Sequence, residues 1–346
     1  MTIEVSDPFG AAADPALPAI ALAIDPLEAE RELGGRRLAH LVGADGSAHV
    51  RAIRVVRHKP GRRCVIEYDL DVEHADGSGG SVTLIGKIRF ARFGLSGHRL
   101  LTEFWDAGFD DASADGISVP APVGSVARFR MWLQRKVRGV TATTALGGPD
   151  GVALARRIAE AAHKVHRAGI PTPATHTIVD ELRILRECLG GLRGIPPDRI
   201  QSLLGACERL AATIAAPEPL GIHRDFYADQ VMVDGTRIYL LDFDLYCSGD
   251  PALDIGNFCG HITEQSLRTL GNADALGDRE RALTDRFAEL AGEETRERVR
   301  AYATLTLARH VYLSTTFPER RPFTGALLAL CEERLARTAP QPAGVS

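Results

Sequence analysis

With 346 residues, 45% of them apolar and 25% charged, the chain can hold one large domain or two modest ones and has the make-up of an ordinary soluble globular protein. A net charge of −4 argues against a nucleic-acid binder that relies on a basic surface. The six cysteines are scattered with no Cys-x-x-Cys pair, which points to reduced thiols and a cytoplasmic setting rather than to a disulfide framework or a zinc site. No apolar run approaches the roughly 18 residues of a membrane span. The apolar stretch 16–24 is short, lies between Asp14 and Asp25, and lacks the basic segment of a signal peptide.

In chain order, residues 1–24 are rich in Ala, Pro and Asp without a sustained period and read as a loose N-terminal segment. Residues 26–42 have helical spacing, with Leu27, Leu33, Leu38 and Leu41 near one face. Two strands follow within 49–72, around a turn at 58–63. A polar, Gly-rich loop covers 73–80. A third strand at 82–90 contains Lys87, a helix at 96–107 contains Glu103, and a Pro-containing connection leads to another strand at 129–137. From Arg138-Gly139 onward helical periods dominate, at 150–168, 180–192, 197–215, 278–291, 293–316 and 323–337. This order predicts an α+β chain with three parts: 1–24, a small β-rich part at 25–138, and a larger, mainly helical part at 139–340.

Between the helices lies the most informative stretch: Gly221-Ile222-His223-Arg224-Asp225-Phe226-Tyr227-Ala228-Asp229-Gln230, and then Leu240-Leu241-Asp242-Phe243-Asp244. An acid, an amide five positions later and a second acid twelve beyond that suit phosphoryl transfer. One carboxylate orients the attacking hydroxyl, while an amide oxygen and another carboxylate suit a hard divalent cation. Residues 231–233 and 237–241 read as short strands joined by Asp234-Gly235, a hairpin that brings Gln230 and Asp242 to the same end. Strand alternation puts Asp244 on the same face as Asp242.

Together with Gly249-Asp250-Pro251-Ala252-Leu253-Asp254, this segment resembles the aminoglycoside phosphotransferase superfamily of protein-kinase-like small-molecule kinases. That family carries a His-x-Asp-x-x-x-x-Asn loop, an Asp-Phe or Asp-Trp strand and a Gly-Asp-Pro-x-x-Asp motif. The specific match runs from Gly221 to about Phe258. It implies a two-lobed protein-kinase-like fold, with ATP and Mg2+ as cofactors and a small-molecule hydroxyl as acceptor.

On this resemblance Asp225 is the catalytic base, Gln230 and Asp242 are metal ligands, and Asp244 assists the metal or the acceptor. Asp254 braces the loop, and Arg224 pairs with an acid such as Asp250 or Asp254. Lys87 positions phosphates and pairs with Glu103. Lys59 and Arg62, at the tip of the first hairpin, stand where a phosphate-covering loop lies, and backbone groups from Arg135 to Val137 read the base edge. The chain has four lysines, Lys59, Lys87, Lys136 and Lys164, among many arginines, so a retained lysine points to a site that needs a compact ammonium.

Gln230 in place of Asn, with Asp242-Phe243-Asp244, is similar to bacterial glucosamine kinases and maltokinases. Their loop reads His-Gly-Asp-x-His-x-x-Gln, so Arg224 and Tyr227 depart from it. A sugar or amino sugar is therefore the expected acceptor. An aminoglycoside or aminocyclitol antibiotic is the alternative, and a non-catalytic nucleotide-binding regulatory protein is the alternative of another class. Arg309, Tyr312, Phe317 and Arg320 are candidate acceptor contacts. Trp105, Trp132, His163 and His166 read as packing residues.

Overall fold

The computed structural model describes residues 2–35, 38, 46–89 and 95–338. The chain divides into two compact units, Met1–Arg138 with Tyr239–Leu241, and Gly139–Ile238 with Asp242–Ser346.

The first unit is built on a sheet of six strands. They are β1 (Glu4–Ser6), β2 (Ser47–Lys59), β3 (Arg63–Glu73), β4 (Gly79–Arg89), β6 (Pro122–Val126) and β7 (Met131–Arg135), in the order β1-β2-β3-β4-β7-β6; the short β5 is Ile117–Ser118. Strict alternation on β3 buries Cys64, Ile66, Tyr68 and Leu70, and the register carries this face to Leu84, Gly86 and Ile88 on β4. The opposite face takes Glu67, Asp69 and Lys87, the last paired in register with Trp132 of β7. Here Arg54 bonds Asp69 at 2.8 Å and Glu67 at 3.3 Å, and Lys136 meets Glu67 at 2.8 Å. The Arg54 guanidinium beside it holds the Asp69 carboxyl below its ordinary range.

Gly86 is required by close approach, because a Cβ there would sit 2.2 Å from Met131 Sδ and 3.1 Å from the Tyr68 ring. Gly86→Ala is expected to lower stability by about 1–3 kcal/mol through overpacking, read as a lower urea midpoint with an unchanged slope. A midpoint equal to that of the parent protein would remove this account of the glycine.

The reading of 1–24 as a loose segment is corrected. β1 pairs in parallel with β2, and α1 (Ala19–Ala23) and α2 (Pro26–Leu33) lay Leu17, Ile20, Ala23, Ile24, Ala29 and Leu33 on the buried face of the sheet. Tyr68 donates to Ala23 O at 2.8 Å. The packed elements are only three to eight residues long, too short to display a period. α2 begins on an Asp25 cap that accepts from Leu27 N and Glu28 N, and it stops at Gly34. The expected continuation lies partly outside the described residues. A helix, α3 (Leu95–Phe104), runs into a π turn over Trp105–Phe109, where Gly108 takes a φ of 88°.

The second unit is mainly helical: α4 (Ala142–Ala145), α5 (Gly151–Arg167), α6 (Ile178–Leu189), α7 (Pro197–Ala212), α8 (Pro251–Leu270), α9 (Gly277–Ala291), α10 (Thr295–Thr316) and α11 (Thr324–Thr338). The expected helices at 150–168, 180–192, 197–215, 278–291, 293–316 and 323–337 match α5, α6, α7, α9, α10 and α11 to within a few residues at their ends, whereas the 20-residue α8 had no counterpart among the expected helices. α6 starts on a reciprocal cap between Thr177 and Asp180. Gly256 and Gly260 let α8 lie against α10, since a Cβ on either would meet Tyr302 or Thr306 at 2.4–2.7 Å. Short strands β8 (Val140–Thr141), β9 (Leu220–Ile222), β10 (Val231–Asp234), β11 (Arg237–Leu240) and β12 (Cys247–Gly249) carry the segment singled out above. Among the described residues no helix is long and apolar enough to cross a membrane.

Candidate active site

β9 and β12 pair antiparallel, with Ile222 opposite Cys247 and Gly221 opposite Ser248. This register fixes the loop that leaves β9 beside the segment that enters β12. The two are also joined by ring packing: His223 lies 4.7 Å from Phe243 and 5.6 Å from Phe226 between centroids. After the loop, a 3-10 turn (Ala228–Gln230) leads into β10, the neighbour of β11. The Asp234-Gly235 turn between them has the expected positive φ at Gly235, 59°. Gln230 is buried, and Asp225 is half-buried. Among the described residues the Asp225 carboxylate takes no protein hydrogen bond or ion pair.

The loop is held from behind by one buried carboxylate. Asp254 has no exposed surface; its Oδ2 accepts from His223 N at 2.8 Å and its Oδ1 from Arg224 N at 2.7 Å. His166 Nε2 meets Asp254 Oδ2 at 2.9 Å. The Gly-Asp-Pro-x-x-Asp spelling explains how Asp254 arrives there. Gly249 has no room for a side chain against Ile222 and His176 O; Asp250 caps α8 by accepting from Ala252 N at 3.0 Å; Pro251 opens the helix. Asp254 then falls in the first turn. Arg224 therefore meets Asp254 through its backbone N–H, while its guanidinium acts on Glu181.

Two non-glycine residues in this segment adopt left-handed backbone, Arg224 at φ 69° and Asp242 at φ 61°. Such conformations cost of order 1–3 kcal/mol each and persist where surrounding contacts enforce them. Arg224 immediately precedes Asp225, and Asp242 initiates the turn Phe243–Leu245 that carries Asp244.

Gln230, Asp242 and Asp244 supply only oxygen donors, the chemistry that suits Mg2+. Among the described residues no three His, Cys, Asp or Glu side chains come together as a metal cage.

The wall next to the loop comes from α8 and α10. Asn257 donates to Phe226 O at 2.9 Å and accepts from Arg309 at 2.6 Å. Tyr227 stacks on His261 at 4.5 Å, and His261 meets His310 edge-on at 4.4 Å. Burial, with Arg309 and Arg320 nearby, pushes the pKa of His310 down to about 3, so this imidazole is neutral. The nearby acids are engaged internally: Glu181 by His176 at 2.6 Å and Arg309 at 3.6 Å, and Glu264 by Arg268 at 2.9 Å and Arg320 at 3.7 Å. Tyr312 faces elsewhere and lines a separate cavity with Arg193 and Arg321.

In the β-rich unit, Lys87 Nζ lies 4.8 Å from the centre of the Trp132 ring. The expected partner Glu103 is bound instead by Arg99, one helical turn away, at 2.8 Å. At the hairpin tip, Gly61 N donates to Asp14 Oδ2 at 2.8 Å and Arg62 N to Lys59 O at 3.0 Å, so these two amides are spent within the protein. Arg62 itself is exposed. Of the expected base-edge groups, Arg135 N is used by Ala121 O and Lys136 N by Thr83 O, whereas the backbone groups of Val137 make no backbone hydrogen bond among the described residues. Sequence reasoning missed Asp14, His58, His166 and the His261–His310 pair, whose partners are distant in the chain.

The model of the phosphotransferase enzyme family matches residues 89–302. No curated protein matches the chain significantly in sequence. Solved structures share the fold. A choline/ethanolamine kinase family protein from Mesorhizobium loti is 14% identical, covering 93% of this chain and 94% of its own with a TM-score of 0.58. A thermostable mutant of aminoglycoside phosphotransferase APH(4)-Ia, in ternary complex with AMP-PNP and hygromycin B, is 14% identical over 90% of this chain and 100% of its own, with a TM-score of 0.54. Choline kinase LicA from Streptococcus pneumoniae is 10% identical over 90% and 100%, with a TM-score of 0.53. The fold is thus protein-kinase-like and α+β, and the chain belongs to the phosphotransferase enzyme family.

Proposed function

We propose that the chain transfers the γ-phosphoryl group of ATP to a hydroxyl of a small molecule, a sugar or amino sugar. The observation that carries this reading is the Asp225 carboxylate. It has no protein partner among the described residues and follows two backbone amides clamped by Asp254 at 2.8 and 2.7 Å. A rigidly held, open carboxylate can accept a hydrogen bond from an incoming hydroxyl and take its proton as the phosphoryl group moves. Family membership favours an enzyme over a non-catalytic nucleotide-binding protein.

Gln230 and Asp242, with help from Asp244, are the residues to hold Mg2+. When bound, that ion supplies charge neutralisation at the phosphate oxygens. Lys87 is the phosphate lysine of this proposal, Val137 the backbone reader of the base, and Arg62 and Lys59 the side chains nearest the expected phosphate-covering loop. The AMP-PNP bound by one similar protein supports ATP as donor.

The acceptor class rests on the wall beside the loop. A polycationic aminoglycoside needs several carboxylates, yet Glu181 is engaged by His176 and Arg309 and Glu264 by Arg268 and Arg320. A neutral or singly charged sugar suits a wall of stacked Tyr227 and His261 rings. The second reading, an aminocyclitol antibiotic, is favoured by the similar hygromycin B-bound enzyme.

Acceptor-dependent ADP release decides between them. With ATP and Mg2+, the expected result is a kcat/KM for glucose, glucosamine or maltose at least tenfold above that for hygromycin B, kanamycin or choline, a difference of about 1.4 kcal/mol in transition-state binding. The reverse order would transfer the assignment to the antibiotic.

A further inference from the structure

Beside the loop brace, the helical unit holds a half-open cleft of about 460 Å³. Its lining includes His163, His166 and Arg167 from the end of α5 and Arg298 from the first turn of α10, with Glu218 and Glu294 also contributing. His166 is 3% exposed; its Nε2 is used by Asp254, and its Nδ1 has no partner among the described residues. Arg298 faces Asp250 at 3.4 Å, but its buried Nε makes no aligned hydrogen bond. Pro251 and Thr295, the first residues of two helices of 20 and 22 residues, also line the space, so two positive helix ends are directed at it. The guanidinium groups of Arg167 and Arg298, an unpartnered buried ring nitrogen and two helix N-termini around a half-open cleft suit an anion. The acids Glu218 and Glu294 are exposed, where water screens them.

We propose that this cavity is an effector site for a small phosphate-bearing anion, and that its occupant acts on the catalytic loop through His166 and Asp254. The connection is two contacts long. An anion held beside His166 fixes the ring in the orientation that meets Asp254, and Asp254 holds the amides of His223 and Arg224 next to Asp225. The pKa of His163 is lowered chiefly by burial, with Arg167 and Arg286 among the neighbours that add to it. Neither the cavity nor its binding test depends on which acceptor the enzyme uses.

Calorimetric titration of the full chain, without nucleotide, uses inorganic phosphate and glucose 6-phosphate as probes. Saturable binding is expected. Arg298→Gln should weaken it about tenfold or more, the worth of one charged hydrogen bond, while Lys87→Met leaves it unchanged. Tighter binding of glucose 6-phosphate identifies the occupant as a phosphate monoester; equal affinity identifies free phosphate. Arg167→Gln, an exposed position that leaves the fold intact, should also weaken binding. Hydrogen exchange gives the second readout: the amides of His223 and Arg224 should exchange more slowly with phosphate present, and this effect should vanish in Arg298→Gln. Absence of saturable binding, or binding lost in Lys87→Met and indifferent to both arginine variants, would overturn the site. Binding without slower exchange at 223–224 would overturn the coupling.

Discussion

Asp225→Asn is expected to reduce kcat by about 10²- to 10⁴-fold, the range for removing a positioned general base. The affinity for ATP should change little, because in the proposed role the side chain addresses the acceptor hydroxyl and not the nucleotide. Stability should also stay within about 0.5 kcal/mol, since the carboxylate is half-buried and has no protein partner among the described residues. That separation makes the variant informative. An enzyme that loses turnover while keeping its unfolding midpoint and nucleotide affinity has lost chemistry alone. A kcat within tenfold of the parent value would move the role of base away from Asp225.

Asp254→Ala should have the opposite profile. Three groups depend on this carboxylate: the amides of His223 and Arg224 and the ring of His166, at 2.7–2.9 Å. The site has no exposed surface, so water cannot replace the lost acceptor. Removing one partner from such a buried, hydrogen-bonded pair costs about 3–5 kcal/mol. Arg224 also loses the contact that holds its left-handed backbone at φ 69°. Equilibrium unfolding in urea should therefore show a drop of several kcal/mol, a large part of a typical domain's stability, together with lost activity. Asp254→Asn keeps the volume and one acceptor oxygen and should fall between the two. A variant as stable as the parent protein would mean that the loop is braced by something else.

The parts of the molecule legible in the sequence were those written locally. Gly249-Asp250-Pro251 is a helix start in itself, with a cap at Asp250 and a proline in the first turn, and Asp234-Gly235 is a turn in itself. Most long helices of the second unit carry enough periods to be found; α8, buried along most of its length, shows no clear polar face and was not. What escaped depends on partners far along the chain. Asp14 binds His58 and Gly61, more than forty residues away, and thereby consumes an amide expected to face phosphate. His166 was read as packing because its partner Asp254 is 88 residues distant. Glu103 was assigned to Lys87 from strand and helix order, but Arg99 on the same helix is the nearer cation. The N-terminal segment lacked a readable period because its elements are so short, although Leu17, Ile20 and Ile24 are spaced to cover a sheet.

The central claim is that the amide at 230 and the acid at 242 bind the ion that accompanies the nucleotide, beside Asp225. A crystal structure with AMP-PNP and Mn2+ in place of Mg2+ tests this directly, since manganese is located by its anomalous signal. The expected result is a metal peak about 2.1 Å from Gln230 Oε1 and from an Asp242 carboxylate oxygen, bridged to the phosphates. A nucleotide bound with its metal coordinated by neither residue would contradict the account.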